Sequence, residues 1–184
     1  LCISVNDVLV HWIARKEIIF RDWDLVTFDF WVKDKNYWVN TDSAISLIIW
    51  WAEKNPEWQR LIEANIKALY AWIFKARAWN RVWDIWSAIQ KEIEWAWYHV
   101  VRELSGHGVW KELHEKPYIY NYWNPGIWSI LVKWMTLAIE PILWQKTWKI
   151  RDEWSWEIYI EDWSLWCQYE HTILITDWEA EIII

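Results

Sequence analysis

Leu25-Val26-Thr27-Phe28-Asp29-Phe30-Trp31-Val32-Lys33 alternates: Val26, Phe28, Phe30 and Val32 fall on one side, Thr27 and Asp29 on the other. A period of two is the signature of a β-strand. Asp29 is its informative residue, because a carboxylate on an otherwise apolar strand is costly unless it is paired or holds a metal ion. A turn around Asp34 to Asn36 leads to a second strand that ends near Asp42, another acid on a strand-like segment.

Beyond this hairpin, Asn55-Pro56-Glu57 reads as a helix start, with a capping Asn, Pro in the first turn and an early acid. Leu61, Ile62, Ile66, Leu69, Tyr70, Ile73 and Phe74 then recur at helical spacing. A second helix is expected after Asn80, with Val82, Ile85, Ile89 and Ile93 on one face. Short strands are expected over residues 98–102, 136–143, 157–160, 168–176 and 180–184. Strands, a helix pair and more strands imply an α+β fold, and 184 residues suit one domain spanning 1–184. No internal repeat and no low-complexity linker interrupts it.

Composition narrows the function. Nineteen Lys and Arg stand against 26 Asp and Glu, a net charge of -7, which argues against direct nucleic-acid readout. The richest apolar stretch, from Ile127 to Trp144, is broken by Lys133 and Glu140, so no membrane span is expected. Cys2 and Cys167 are too few for a disulfide framework and suit a reducing compartment. The chain opens at Leu1 within a strand-like run, which points to a fragment lacking an N-terminal segment.

The chain holds 24 tryptophans and three glycines, Gly106, Gly108 and Gly126. Ordinary chains contain about 7% glycine. Several tryptophans stand where a chain needs positive φ or close backbone approach: Trp23 between two extended runs, Trp79, Trp83 and Trp86 in a punctuated stretch, and Trp163 in Glu-Asp-Trp-Ser. Many are therefore expected to stand at glycine positions, the alternative being a deliberately altered or tryptophan-rich designed chain. Some bacterial lineages read UGA as glycine, and translating such a gene with UGA as tryptophan produces this pattern. Taken literally, the tryptophans predict a chain that folds poorly.

The chemistry lies in the acids and histidines. Gly106-His107-Gly108, with His114-Glu115 seven residues after His107, puts two imidazoles on one segment, and the glycines are expected to let the backbone approach whatever His107 holds. Glu140 interrupts the apolar run Leu137-Ala138-Ile139, and Glu170 lies in Gln168-Tyr169-Glu170-His171-Thr172. Asp29, Asp42, Glu140, Glu170 and His107 offer four hard oxygen donors and an imidazole. Such a set suits manganese, iron or cobalt better than a structural zinc site. Four carboxylates exceed the charge of one divalent ion, so two ions sharing bridging carboxylates are expected, an arrangement that activates water for hydrolysis. The residues by themselves read as a metallohydrolase.

With glycine at Trp12, Trp110 and Trp134, three segments become recognisable: Asn6-Asp7-Val8-Leu9-Val10-His11-Gly-Ile13, Gly106-His107-Gly108-Val109-Gly-Lys111-Glu112-Leu113-His114, and Lys133-Gly-Met135-Thr136-Leu137-Ala138-Ile139-Glu140-Pro141. Together with Gln168-Tyr169-Glu170-His171-Thr172, in this order and spacing, they resemble the bacterial type I methionine aminopeptidases over the whole chain. The resemblance implies the pita-bread fold, a curved antiparallel sheet backed by helices around a dimetal site, and removal of the N-terminal methionine from nascent proteins and peptides. It implies Asp29 as ligand of one metal, Asp42 and Glu170 as bridges, and His107 and Glu140 as ligands of the other, with cobalt, manganese, iron or zinc as the ions. Glu140 would carry the proton, while His114 and His11 would contact the scissile peptide group from opposite walls. Cys2, Leu113 and Trp156 would line the methionine pocket, and Trp58 and Trp156 would be genuine tryptophans. His99 is read as structural, and His171 has no assigned task.

Nascent chains are the partners implied, with the ribosome nearby, and the expected state is a cytoplasmic monomer without membrane partners. Two departures stand out. The Asp29-to-Asp42 segment is slightly longer than usual, and the family's N-terminal segment, which covers the sheet and adds to the pocket, is missing. Xaa-Pro aminopeptidases and dipeptidases share fold and ligands, but their glutamate is usually followed by Pro-Gly, whereas Glu140-Pro141 is followed by Ile142. Non-catalytic pita-bread binding proteins have usually lost ligands that are all present here.

Overall fold

The computed structural model describes residues 1–12, 15–50, 54–85, 93, 96–122, 129–146, 149–152 and 158–184. The strands in chain order are β1 (Cys2–Val5), β2 (Val8–Leu9), β3 (Leu25–Lys33), β4 (Asn40–Ile48), β5 (His99–Val100), β6 (Ser105–Gly108), β7 (Glu115–Tyr120), β8 (Thr136–Ile139), β9 (Ile142–Trp144), β10 (Ile150–Asp152), β11 (Ile158–Ile160), β12 (Trp166–Gln168), β13 (His171–Leu174) and β14 (Glu181–Ile182). Helix α1 (Pro56–Lys75) follows β4, and residues 82–85 are also helical. The sheets run β1-β3-β4, β10-β11-β2, β12-β9-β5 and β14-β13-β8-β6-β7. Among the described residues every strand pair is antiparallel.

Strand β3 has the limits its alternation predicts. Its partner β4 corrects the expectation: this strand begins at Asn40 and runs nine residues, pairing from Lys33↔Asn40 to Leu25↔Ile48, so Asp42 lies near its start rather than its end. The polar run Asn40-Thr41-Asp42-Ser43 carries no apolar alternation, and only pairing with β3 makes it a strand. Because Cys2 opposes Asp29, Asp29 opposes Ala44 and Trp31 opposes Asp42, these residues share one face. The same face continues to Thr27 and Ser46, both buried, whose hydroxyls lie 2.6 Å apart. The apolar face runs from buried Val26 to exposed Val32. The polar side of β3 is thus the side that faces the site.

Two expected strands are broken. The run over 136–143 divides into β8 and β9 at Glu140-Pro141, where proline has no N–H for a ladder. The run over 168–176 divides into β12 and β13, and Glu170 between them makes an isolated bridge to Ala44 of β4. Both glutamates lie in breaks rather than on strands. The other strands are shorter than expected, with β5 only two residues, and Glu157 lies outside the described residues.

Helix α1 starts at Pro56 as expected, but Asn55 makes no side-chain cap, so Pro56 and the acidic Glu57 mark the start. Its buried stripe of Leu61, Ala68, Leu69, Trp72 and Ile73 packs in one core with Leu137 and Ile139 of β8, Leu143 of β9 and Ile173 of β13. Val82, Ile85 and Ile93 join that core, as their predicted helical face requires; Ile89 lies outside the described residues. Asn65 sits on the apolar stripe, fully buried. Its amide nitrogen donates to Pro141 O (2.6 Å) and Cys167 O (3.1 Å), and its carbonyl accepts from Tyr169 N (2.9 Å). One helical side chain thereby ties together the two breaks that carry Glu140 and Glu170. No helix among the described residues is long and apolar enough to cross a membrane.

Nine described non-glycine residues have positive φ, and seven are tryptophan: Trp23, Trp38, Trp50, Trp79, Trp97, Trp134 and Trp163. The sequence singles out Trp23, Trp79, Trp134 and Trp163 among these. Trp12 and Trp110, also expected there, are not in this conformation, and Trp83 lies in the helical residues 82–85. Trp86 lies outside the described residues. Left-handed backbone costs a bulky residue about 1–3 kcal/mol.

Replacing Asn65 with Leu removes three buried hydrogen bonds and leaves their backbone partners unsatisfied. The expected loss is about 3 kcal/mol of stability, read as a lower midpoint in urea unfolding.

Candidate active site

Five elements bring their acids and imidazoles to one cavity of about 240 Å³. Asp29 comes from β3, Asp42 from β4 and His107 from β6, while Glu140 and Glu170 come from the two breaks. All five ligands expected from the sequence line this cavity, and so do His11, His114, Cys2 and Leu113. Trp156, expected on the same wall, lies outside the described residues. Trp31 also lines the cavity, on the face it shares with Asp29 and Asp42. His99 and His171 do not line it. His171 instead lies beside Tyr70 of α1, with Nδ1 2.9 Å from Ile184 O.

The donors fall into overlapping groups. Ligand atoms of Asp29, Asp42 and Glu170 lie within 4.8 Å of one another, and so do those of His107, Glu140 and Glu170. A third group joins Asp42, His107 and His114. Glu170 belongs to both carboxylate-rich groups, and Asp42 belongs to one of them and to the histidine group. The His107 and His114 rings meet edge to face, 4.4 Å between centroids.

Backbone bonds hold these side chains in place. Asp42 N donates to Thr172 Oγ1 (2.7 Å), and the Thr172 hydroxyl donates to Asp42 O (2.7 Å). Glu170 N donates to Ala44 O (2.9 Å), and Ser43 Oγ donates to Glu170 O (3.0 Å). The two glycines around His107 serve the sheet rather than a ligand. A Cβ on Gly106 would meet Ala138 O at 2.5 Å, and one on Gly108 would meet Lys116 O at 2.5 Å. Only glycine lets β6 lie this close to β8 and β7.

Residues 1–177 match metallopeptidase family M24 over nearly the whole chain. The chain belongs to this family. It is 36% identical to the methionine aminopeptidase of Mycoplasma capricolum, over all of this chain and 72% of that one. Among solved structures it resembles the methionine aminopeptidase of Thermotoga maritima with a TM-score of 0.90 and 34% identity, over 98% of this chain and 72% of that one. The prolidase of Pyrococcus furiosus, at 22% identity and a TM-score of 0.70 over 99% of this chain and 48% of that one, shares the fold alone. The architecture is the pita-bread fold.

Membership in M24 implies a divalent metal, and the donor set fits one. His107 Nδ1 lies 3.0 Å from Gly108 O, which can only accept, so the proton is on Nδ1 and Nε2 presents a lone pair. That lone pair faces Glu140 Oε1 at 3.5 Å and Asp42 Oδ2 at 3.8 Å. Acceptor facing acceptor is unfavourable unless a cation or proton lies between. Burial lowers the His107 pKa to about 4, which keeps the ring neutral and ready to ligate at neutral pH. Glu170 Oε1 is buried with no protein partner.

Without a cation the acids hold protons instead. Burial, and then the neighbouring Asp29, push Asp42 up to about 7. Burial first, then the other acids, drive Glu140 and Glu170 well above the ordinary carboxyl range, and burial raises Asp29. Burial lowers His114 as well.

Sequence reasoning missed Asn65, Thr172 and Gln168. Asn65 had a visible signal, a lone amide on an apolar helical stripe. Thr172 and Gln168 lay inside a recognised segment but had no spacing of their own that pointed to the acids.

The shifts predict a pH dependence for the chelator-treated protein. Lowered histidine values add stability as pH rises from about 4 to 6.5 and add nothing further above that range. Raised carboxyl values take stability away as pH rises from 3.8 through about 7 for Asp42, and further for Glu140 and Glu170. Only the carboxyl contribution remains above neutrality. The melting temperature of the metal-free chain is therefore expected to be lower above about pH 7, where Asp42 has ionised, than at about pH 6.5, where the histidine contribution is already complete, and saturating Mn(II) is expected to abolish the difference. Melting curves at both pH values, with and without the ion, measure it.

Proposed function

We propose that the chain is a methionine aminopeptidase that uses two divalent ions to hydrolyse the first peptide bond of chains beginning with methionine. The observation that carries this reading is the pair of donor groups sharing Glu170 inside one cavity. Full-length similarity to methionine aminopeptidases supports it. Asp29, Asp42 and Glu170 would hold one ion, and His107, Glu140 and Glu170 the other, with Asp42 shared. Cobalt, manganese, iron and zinc all suit such donors. Bound there, the ions supply a deprotonated water at neutral pH and polarise the scissile carbonyl.

The remaining work falls to the chain's own groups. Glu140 carries the proton, since it is a half-buried acid lining the cavity whose carboxyl group burial holds well above the ordinary range. His114 hydrogen-bonds the scissile peptide group, and His11 supports the transition state from the opposite wall. Cys2 and Leu113 form walls for the methionine side chain, an apolar thioether that suits such a lining. The enzyme acts as a cytoplasmic monomer on nascent chains close to the ribosome. Its two thiols, both free, suit a reducing compartment.

A peptide panel tests the reading. Methionine is released from Met-Ala peptides in a chelator-sensitive reaction, while Xaa-Pro bonds stay intact. Cleavage before proline would shift the assignment to the prolidase side of the fold, and no turnover with no bound metal would make the chain a binding protein. Glu170→Gln is expected to abolish turnover, and His114→Ala to lower kcat by roughly 100-fold or more.

A further inference from the structure

Gln168 is 1% exposed and touches both glutamates of the site. Its Nε2 lies 3.2 Å from Glu140 Oε2 and 3.3 Å from Glu170 Oε2. With a cation bound and both carboxyls ionised, only the amide nitrogen can sit between their oxygens, since the amide oxygen would face acceptors on both sides. Its two hydrogens serve the two acids, one each. The backbone of Gln168 is itself fixed, because its N donates to Ser46 Oγ (2.9 Å) and its O accepts from the same hydroxyl (3.1 Å). The Ser46 hydroxyl in turn meets Thr27 Oγ1 across β3 and β4. A rigid line thus runs from the hairpin bearing Asp29 and Asp42 to the two glutamates.

We propose that Gln168 is a positioning residue that pins one oxygen of Glu140 and one of Glu170, leaving Glu140 Oε1 and Glu170 Oε1 free for the ions. Glu170 Oε1 has no protein partner and Glu140 Oε1 faces His107 Nε2, as this division requires. The inference rests on the dimetal reading above. Its test is calorimetric titration of the metal-free chain with Mn(II), and the visible spectrum with Co(II), for parent and Gln168→Met. Expected is a roughly 10- to 100-fold weaker Mn(II) affinity and an altered Co(II) spectrum, with the metal-free melting temperature retained. If Gln168→Met does not fold, Gln168→Asn, which keeps an amide on a shorter arm, carries the same measurement. Variant affinity within about twofold of the parent overturns the role of Gln168. A parent that binds no Mn(II) overturns the dimetal reading itself.

A separate observation concerns the backbone. All seven tryptophans with positive φ have exposed side chains, so their indoles fill no core space. Hydrogen bonds hold several of them in the left-handed conformation: Trp38 N donates to Asp34 O within the β3–β4 hairpin, Trp23 N to Ile49 O, Trp79 N to Leu131 O and Trp134 N to Ile175 O. Such a position favours glycine, and removing an exposed indole opens no cavity. We infer that these seven positions are glycine in the protein its source cell makes, through decoding of UGA as glycine. Peptide mass spectrometry of the protein from that cell is expected to give glycine masses at all seven, and tryptophan masses overturn the inference. With the recombinant chain, replacing all seven by glycine is expected to raise the melting temperature by about 10 °C or more, with a sharper far-UV circular dichroism melt. Trp178→Gly, at an exposed site with ordinary φ, is expected to give no such gain. A sevenfold variant that gains no more than this control counts equally against the inference.

Discussion

Burial of four carboxyl groups in one pocket is the constraint on which the structure turns. Burial raises the proton affinity of Asp29, Asp42, Glu140 and Glu170, and neighbouring acids raise that of Asp42, Glu140 and Glu170 further. Such a cluster is unfavourable in a metal-free fold unless protons are taken up. The fold must therefore hold the acids together against their own preference, and the rest of the architecture does that. The β3–β4 hairpin supplies two of them on one face. The bridge between Ala44 and Glu170, the Thr172 hydroxyl on Asp42 and the Asn65 side chain bring the other two to it.

The means of holding is uniform. The segments bearing Asp42, Glu140 and Glu170 are tied through their backbone to buried polar side chains of other elements: Thr172 to the Asp42 segment, Ser43 to Glu170, Ser46 to Gln168, and Asn65 to Pro141 and Tyr169. Backbone ties leave the carboxyl oxygens uncommitted. The exceptions are the Gln168 amide, which takes one oxygen from each glutamate, and Ser43 N, which donates to Asp42 Oδ1 (3.1 Å). Strength in the frame and vacancy at the ligand atoms are therefore compatible, which is what a site that binds cations needs.

Much of this was legible in the sequence. The alternation of Leu25 to Lys33 set β3, and an acid on its polar face marked the site. The Asn55-Pro56-Glu57 start and the apolar stripe behind it set α1. Glu140 and Glu170 were conspicuous as acids in apolar runs, although the breaks that hold them were not, since neither Pro141 nor Tyr169 interrupts the apolar pattern strongly. The start of β4 was hidden because Asn40 to Ser43 has no apolar period of its own. Asn65 was visible as a lone amide on an apolar stripe, but its role and that of Gln168 were hidden for a different reason: their partners lie 76 and 28 residues away, which no local pattern contains.

By itself the sequence determined the chemical inventory, four acids and a histidine on ordered segments, because residue type and local period are written along the chain. It also exposed the glycine deficit, a matter of composition. Tertiary structure alone decided that the acids form two groups sharing Glu170, that His107 presents Nε2 rather than Nδ1 to them, and which tryptophans stand in left-handed backbone. Those outcomes depend on distances between segments and on hydrogen bonds that close turns. Both are set by packing across the whole chain rather than by any stretch of it.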